Sequence, residues 1–400
     1  MSSNSDVIDA VSDALGVSGK PVNYEVIDAD AHTNPPPEFW AEYLPAKFRD
    51  VAPKFESGDD GIDYTVFEGK RTPFMVMTAV AGQDTKTYKM HGRRDDTTHG
   101  GWIPEARIKD MDTDGVDGAV LYGGGPLASQ DEELRLASFN AYNRWLADFC
   151  SYAPDRLWGI AYLPMLEVAD AVEQLREARK LGLKGVLIPA FPQTVQSSSK
   201  ASETIHTGMA GDAMGSRRYS DEEFDPFWAA AVELGMPVHM HLGARQVRTN
   251  PTSLFLPDSV MAKLAMAEPI AILTFGGVFD RHPDLKFVTV ESGVGWFAFV
   301  AQFMDRIYEK HQHWTHTSLK KMPSEYMDTN VYGTFMEERA GLLLRNEPGC
   351  KNIMWSSDYP HSETTFPHSR QAIDRMFEGI PEADKRAIVC DNALKLYGIK

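Results

Sequence analysis

Cysteine is scarce in this 400-residue chain: Cys150, Cys350 and Cys390 are the only three, and they are widely spaced. They make neither a disulfide framework nor a CxxC zinc pattern, so a reducing, cytoplasmic setting is expected. Cations are also in short supply, with 40 Lys and Arg against 57 Asp and Glu and a formal net charge of −17. So acidic a chain repels phosphate backbones and anionic lipid surfaces, which excludes nucleic acid and membrane as its principal partners. No uncharged apolar run approaches the ~18 residues that would span a bilayer. The first twenty residues hold no cation before Lys20 and no apolar core of signal-peptide length, so no targeting segment is expected. The dinucleotide fingerprint GxGxxG is missing from the first strand-to-helix turn, where DADAHTNPPP stands, and Gly123–Gly125 follow a later strand without that spacing. What remains is a globular composition, 43% hydrophobic and 24% charged, and small molecules as partners.

What the chain does have is alternation. VNYEVIDAD after Pro21 is a β-rich run, read as strand one over 23–30, and TNPPP at 33–37 cannot continue it. PEARIKDMDTDG opens on Pro104 and closes on Gly115, a helix followed by the apolar strand VDGAVLYGGG. A helix over 131–152, strand RLWGIAYLP, a helix over 167–181, strand LKGVLIPAF, a helix over 221–235 and strand MPVHMHLG continue the pattern. Helical matter over 257–282, strand LKFVTVES, a helix over 295–311, a strand near DTNVYGTF, a helix over 336–345 and strand NIMWSSD complete it. Eight strands separated by helices predict parallel pairing with right-handed crossovers, an α/β fold that closes as a (β/α)8 TIM barrel. An open doubly wound sheet is the alternative. The polar, Gly-rich stretch 51–100 and the Ser/Gly/Met-rich stretch 191–220 read as insertions after strands one and four of a single barrel domain over 21–400. Val7, Ile8, Val11 and Leu15 recur at helical spacing, so residues 1–20 read as a leader helix or arm docked on the body or on a second subunit.

A barrel places its active site at the carboxyl ends of the strands, and ligand-capable residues collect at those ends here. Strand one supplies Asp30 and His32, strand five His239 and His241, strand six Glu291, and strand eight Asp358 with His361 just beyond. Side chains alternate along a strand, so Asp30 and His32 share a face, as do His239 and His241. Asp, His, His and Asp converging from three strands form an oxygen and nitrogen ligand set suited to Zn²⁺, Mn²⁺ or Fe²⁺, with no thiolate. Glu291 has three readings: general base on a metal-bound water, ligand of a second metal with His361 or His239, or a structural carboxylate paired with a fixed donor. His361 reads first as a hydrogen-bond partner of a ligand carboxylate, with substrate binding and proton shuttling as its other roles. His239, one pleat deeper than His241, reads as a core histidine. His282 and the cluster His311, His313 and His316 read as solvated surface, while Trp296, Phe335, Trp355 and Tyr359 either wall the pocket or pack the barrel.

The segments VIDADAH at 26–32, RIKDMDTDGVDGAVL at 107–121, PVHMHLG at 237–243, FDRHPDLKFVTVESGVGW at 279–296 and IMWSSDYPHSE at 353–363 resemble the amidohydrolase-related (amidohydrolase 2) family of the metal-dependent hydrolase superfamily. That family includes the aminocarboxymuconate semialdehyde decarboxylase-like enzymes, and the resemblance spans about residues 22–397. It implies a divalent metal, Zn, Mn or Fe, held by Asp30, His32, His241 and Asp358, as one ion with a second one possible. Two departures stand out. Glu291-Ser292-Gly293 stands where decarboxylases of the family carry a histidine at the end of strand six, and Asn34 stands close to where many relatives carry a glutamate. The expected activity is that of a metal-dependent lyase or hydrolase on a small carboxylate-bearing substrate, by non-oxidative decarboxylation or by metal-hydroxide attack on a carbonyl. The alternatives are a non-haem iron or di-metal oxygenase, with Glu291 and His361 as extra ligands, and a catalytically silent scaffold subunit. A homodimer or a hetero-oligomer with a homologue is the expected assembly.

Overall fold

The strands Ile27–Thr33, Gly118–Gly123, Leu157–Tyr162, Gly185–Leu187, Val238–His241, Phe287–Val290, Val331–Phe335 and Ile353–Trp355 lie side by side in chain order, every neighbouring pair parallel. They are called strands one to eight below. The computed structural model describes residues 23–123, 125–127, 129, 131–193, 211–242, 247–248 and 252–400, so the 1–20 leader and much of the 191–220 insertion lie outside the described residues. Strand one meets the end of strand eight through two backbone bonds: Asp358 N donates to Asp30 O at 2.9 Å, and His32 N donates to Tyr359 O at 2.6 Å. These bonds close the sheet into an α/β TIM barrel. Strand three, LWGIAY, is buried at every position, as expected where one face fills the barrel and the other lies under helices.

Helix ends follow the local chemistry of the sequence. Pro104 opens the helix Pro104–Asp114, and Gly115 closes it in the left-handed conformation at φ 72° that glycine adopts without strain. Asp131 caps Glu132–Ser151 by accepting from the backbone amides of Glu133 and Leu134.

Strand one departs from expectation. It occupies Ile27–Thr33 rather than 23–30, with a register irregularity between Asp28 and Ala31. Its polar residues look like a strand terminus in sequence, yet their backbone is paired on both sides and their side chains belong to the site. Within 51–100 the chain forms a three-stranded antiparallel sheet, Lys54–Ser57, Asp63–Phe67 and Lys70–Pro73. Glu68 and Gly69 turn its second hairpin at φ 47° and 74°, the paired left-handed residues of a type I′ turn. This sheet is mostly exposed or half-buried, which leaves no hydrophobic period to find. The same segment then leans on the loop after strand eight: Ala81 N donates to Pro360 O at 3.1 Å and Ser362 N to Met77 O at 3.1 Å.

Two further features bear on the site. Helix Phe255–Leu264 follows strand five in the chain and carries Lys263 close to the end of strand six. The final helix, Asn392–Tyr397, sends Tyr397 into the interior, where its ring stacks on His239 with centroids 5.8 Å apart.

Candidate active site

The ends of strands one, five, six and eight bring Asp30, His32, His241, Glu291, Asp358 and His361 together. His32 is central: its Nε2 lies 3.2 Å from Asp30 Oδ1, 3.1 Å from Asp358 Oδ1 and 3.3 Å from His241 Nε2. His241 Nε2 is 3.6 Å from both Asp30 Oδ1 and Glu291 Oε2. His361 Nδ1 sits 2.9 Å from Asp358 Oδ1, and its ring stacks on that of His32 with centroids 3.8 Å apart. One ligand atom from each of Asp30, His32 and His241 lies within 4.8 Å of the others, and the same holds for His32, Glu291, Asp358 and His361.

This donor set fits a divalent cation. Asp30 and Asp358 are buried, yet both Asp30 carboxylate oxygens and Asp358 Oδ1 lack an aligned hydrogen bond despite the nearby imidazoles. A buried carboxylate oxygen without an aligned hydrogen bond is costly, and two carboxylates converging on the same imidazoles make a cradle for positive charge. The electrostatics agree. Burial disfavours a charged His32, but Asp30 and Asp358 override it and push its pKa up to about 10. Burial works to raise Asp30 too, and His241 and His32 hold it below the ordinary carboxylate value. Asp358 is likewise held low against its burial, mainly by His361 and His32.

Glu291 differs from these. Burial raises its carboxyl well above the usual range, the Asp358 charge adds to the effect, and Lys263 opposes it. The Lys263 ammonium lies 3.4 Å from Glu291 Oε1. Glu291 and Asp358 share a backbone peculiarity: φ values of 54° and 60° put both in the left-handed region, unusual for a residue with a Cβ. Each turn is pinned, since Glu291 N donates to Thr334 Oγ1 at 2.8 Å and Asp358 N to Asp30 O at 2.9 Å.

His239 is not brought into the cluster. Its Nδ1 lies 3.0 Å from the Val186 carbonyl, which can only accept, so Nδ1 carries the proton and Nε2 accepts from the Tyr397 hydroxyl at 3.0 Å. Burial pushes its pKa down to about 3, a neutral core histidine with both nitrogens engaged. His282 is no solvated surface residue, because its ring is half-buried 3.1 Å from Asp225. His311, His313 and His316 are exposed. Trp355 and Phe335 are buried packing, whereas Trp296 is half-buried and donates to Ser292 O at 2.9 Å.

Three supporting residues escaped the sequence reading. Asp28, buried two residues before Asp30, accepts from Asp30 N at 3.1 Å and Ser357 N at 2.8 Å, and also from the Ser357 hydroxyl. Its place in the alternation Asp28-Asp30-His32 was a usable signal. Arg107 is buried, bonds the carbonyls of His32 and Gly100, and lies over the Tyr359 ring. Lys263 sits on a helix where nothing in the pattern marks it. At the departure near the entrance, Asn34 Nδ2 donates to Thr78 Oγ1 at 3.0 Å.

A closed parallel barrel with an Asp/His/His/Asp cradle at its carboxyl mouth defines a metal-dependent barrel enzyme. The amidohydrolase family model matches residues 27–399, and the chain belongs to that family. It is 26% identical over 312 residues to gamma-resorcylate decarboxylase of Rhodococcus jostii, covering 74% of this chain and 87% of the relative. To 2-amino-3-carboxymuconate-6-semialdehyde decarboxylase of Dictyostelium discoideum it is 25% identical over 307 residues, covering 74% and 77%. Among solved structures, an amidohydrolase from Mycobacterium avium subsp. paratuberculosis superposes with a TM-score of 0.70 at 24% identity over 94% of this chain and all of the other. A dihydroxybenzoic acid decarboxylase from Polaromonas, solved with manganese and 2-nitroresorcinol, gives 0.60 at 18% identity over 94% and 97%. At these identities the structural likenesses establish the fold. No helix among the described residues is long and apolar enough to cross a membrane.

Proposed function

We propose that the chain is a metal-dependent, non-oxidative decarboxylase of a small hydroxylated aromatic or unsaturated carboxylate. The observation that carries this reading is the cluster itself: buried Asp30 and Asp358, with both Asp30 oxygens and Asp358 Oδ1 lacking an aligned hydrogen bond, around His32 and His241, and with buried Glu291 beside them. The names of the two curated relatives support the reaction class. Asp30, His32, His241 and Asp358 are the residues that would hold the ion. When bound, it supplies a Lewis-acid charge that polarises an oxygen of the substrate.

The remaining work falls to the chain's own groups. Decarboxylation breaks one C–C bond, releases CO₂ and leaves an electron pair on carbon that must take a proton. Glu291 is buried next to the cluster, and its environment favours the protonated carboxyl, which suits a general acid. Glu291 stands where the decarboxylases this chain resembles carry a histidine at the end of strand six, and the proton donor's part is assigned to it here. His361, stacked on His32 and 2.9 Å from Asp358, orients that carboxylate and walls the mouth.

The test is a panel of hydroxylated aromatic and unsaturated carboxylates, incubated with the manganese-loaded enzyme in D₂O under an oxygen electrode. CO₂ release with one deuteron at the vacated carbon and no oxygen uptake is the expected result. Substrate-dependent oxygen consumption would instead identify an oxygenase, and ester, lactone or amide cleavage without CO₂ a hydrolase; either overturns the reading.

A further inference from the structure

Lys263 projects from helix Phe255–Leu264 into the mouth, where its Nζ lies 3.4 Å from Glu291 Oε1, 3.3 Å from the Glu291 carbonyl and 3.2 Å from Glu363 Oε2. Among the described residues it is the one lysine or arginine whose charged group lies within 4.0 Å of an acidic side chain of the cluster. Its two acidic partners are unlike. Glu291 is buried within the cluster, whereas the Glu363 side chain, in the loop after strand eight, is 47% exposed against 27% for Lys263. A pair with so exposed a carboxylate is worth ~0–1 kcal/mol, so Glu363 is readily displaced into water. The ammonium is the more buried member and cannot follow it out; a buried charge needs a counter-charge at hand. A carboxylate arriving on a ligand would replace Glu363 like for like, leaving the charge around Lys263 unchanged.

We propose that Lys263, held in readiness by Glu363, forms a subsite for an anionic substituent of the substrate other than the group that reacts. The inference rests on the reading above only in taking this mouth as the entry of a carboxylate-bearing substrate. The departing carboxylate is not the group held there. A cation fixed on it would favour the charged ground state over the neutral CO₂ that forms, and binding that favours the ground state slows the step. The substrate class narrows accordingly to hydroxylated acids that carry a second anionic group.

Binding rather than turnover tests this, so a failure of decarboxylation and a failure of the subsite remain distinguishable. The probes are salicylate and its carboxylated ring isomers, which keep the hydroxyl and adjacent carboxylate and add one further carboxylate. Dissociation constants are measured by calorimetry on the manganese-loaded full chain. At least one diacid should bind wild type about tenfold or more tightly than salicylate, a difference of ~1.4 kcal/mol. Lys263→Met, which keeps length and removes charge, should erase that preference while leaving salicylate affinity within about twofold of wild type. Glu363→Gln should move the other way and tighten the diacid, because the competing carboxylate is gone. A wild-type enzyme that binds no diacid more tightly than salicylate overturns the proposal. So does a Lys263→Met variant that weakens both ligands alike, which would assign Lys263 to supporting Glu291 or the fold, and so does a Glu363→Gln variant with weakened diacid binding.

Discussion

Asp28→Ala removes the group that ties strand one to the turn carrying Asp358. Two backbone donors, Asp30 N and Ser357 N, and the Ser357 hydroxyl lose their acceptor, and Ser357 Oγ is itself the acceptor for Tyr359 N at 3.1 Å. The hydroxyl can rotate, but the amides cannot. At ~1–3 kcal/mol for each buried amide left unpaired, the loss is roughly 2–6 kcal/mol. Removing a buried carboxylate offsets part of this, because burial pushes the Asp28 carboxyl up to about 7. A net destabilisation of about 3 kcal/mol is expected, a large share of the ~5–15 kcal/mol that stabilises a folded protein. Affinity for Mn²⁺ should fall by about tenfold or more as His32 and Asp358 lose their mutual register, the size typical of groups that orient metal ligands.

Asp28→Asn is the control, since its amide oxygen still serves the backbone donors and its NH₂ can donate to Ser357 Oγ. It should stay within about 1 kcal/mol of wild type near pH 6. The raised pKa sets a sign: stability from the protonated Asp28 is complete below the unfolded value of about 4 and is lost as pH climbs through 7, so wild type should weaken relative to Asp28→Asn over that interval. Urea melts of metal-free and manganese-loaded protein, with chelator competition for the metal constant, measure both effects. An alanine variant within about 1 kcal/mol of wild type and with unchanged metal affinity would refute the reasoning, as would an asparagine variant as damaged as alanine.

Three further outcomes are expected. Chelator should lower the melting temperature and added Mn²⁺ or Zn²⁺ restore it with dose, by ~2.7 kcal/mol at a hundredfold excess over Kd, and Asp30→Asn should abolish that response. Glu291→Gln should reduce CO₂ release by roughly 10²-fold while calorimetry shows an intact fold and elemental analysis an unchanged metal content; near-normal turnover would return Glu291 to a packing role. His239, pushed down to about 3, stabilises the fold as a neutral group above its unfolded value of ~6.5 and loses that contribution as pH falls toward 3. Urea melts at pH 7 and pH 5 should therefore show wild type losing about 2 kcal/mol more than His239→Gln on acidification, and equal losses would count against a neutral buried imidazole.

The barrel was legible because its helices and strands carry different periods, and the punctuation at Pro104 and Gly115 falls at real helix ends. The strand-one boundary was not, because DADAHT has the composition of a loop, and its pairing with strand two on one side and with Asp358 N and Tyr359 O on the other exists only in the closed barrel. Lys263 was hidden for another reason: a lysine on a helix is unremarkable until the fold delivers it to Glu291. Strand parity correctly put His239 and His241 on one face, but depth separates them, and the residue that decides the depth is Tyr397, more than a hundred and fifty positions away. The most telling feature lies in the backbone. Glu291 and Asp358 end strands six and eight in the left-handed region, a conformation that costs a residue bearing a Cβ about 1 kcal/mol or more and that glycine adopts freely. Glycine at either position would relieve the strain and remove a carboxylate from the mouth. Two strained positions that both keep acid side chains aimed at one pair of histidines are hard to explain as packing, and they are what a site built to hold charge and to move a proton requires.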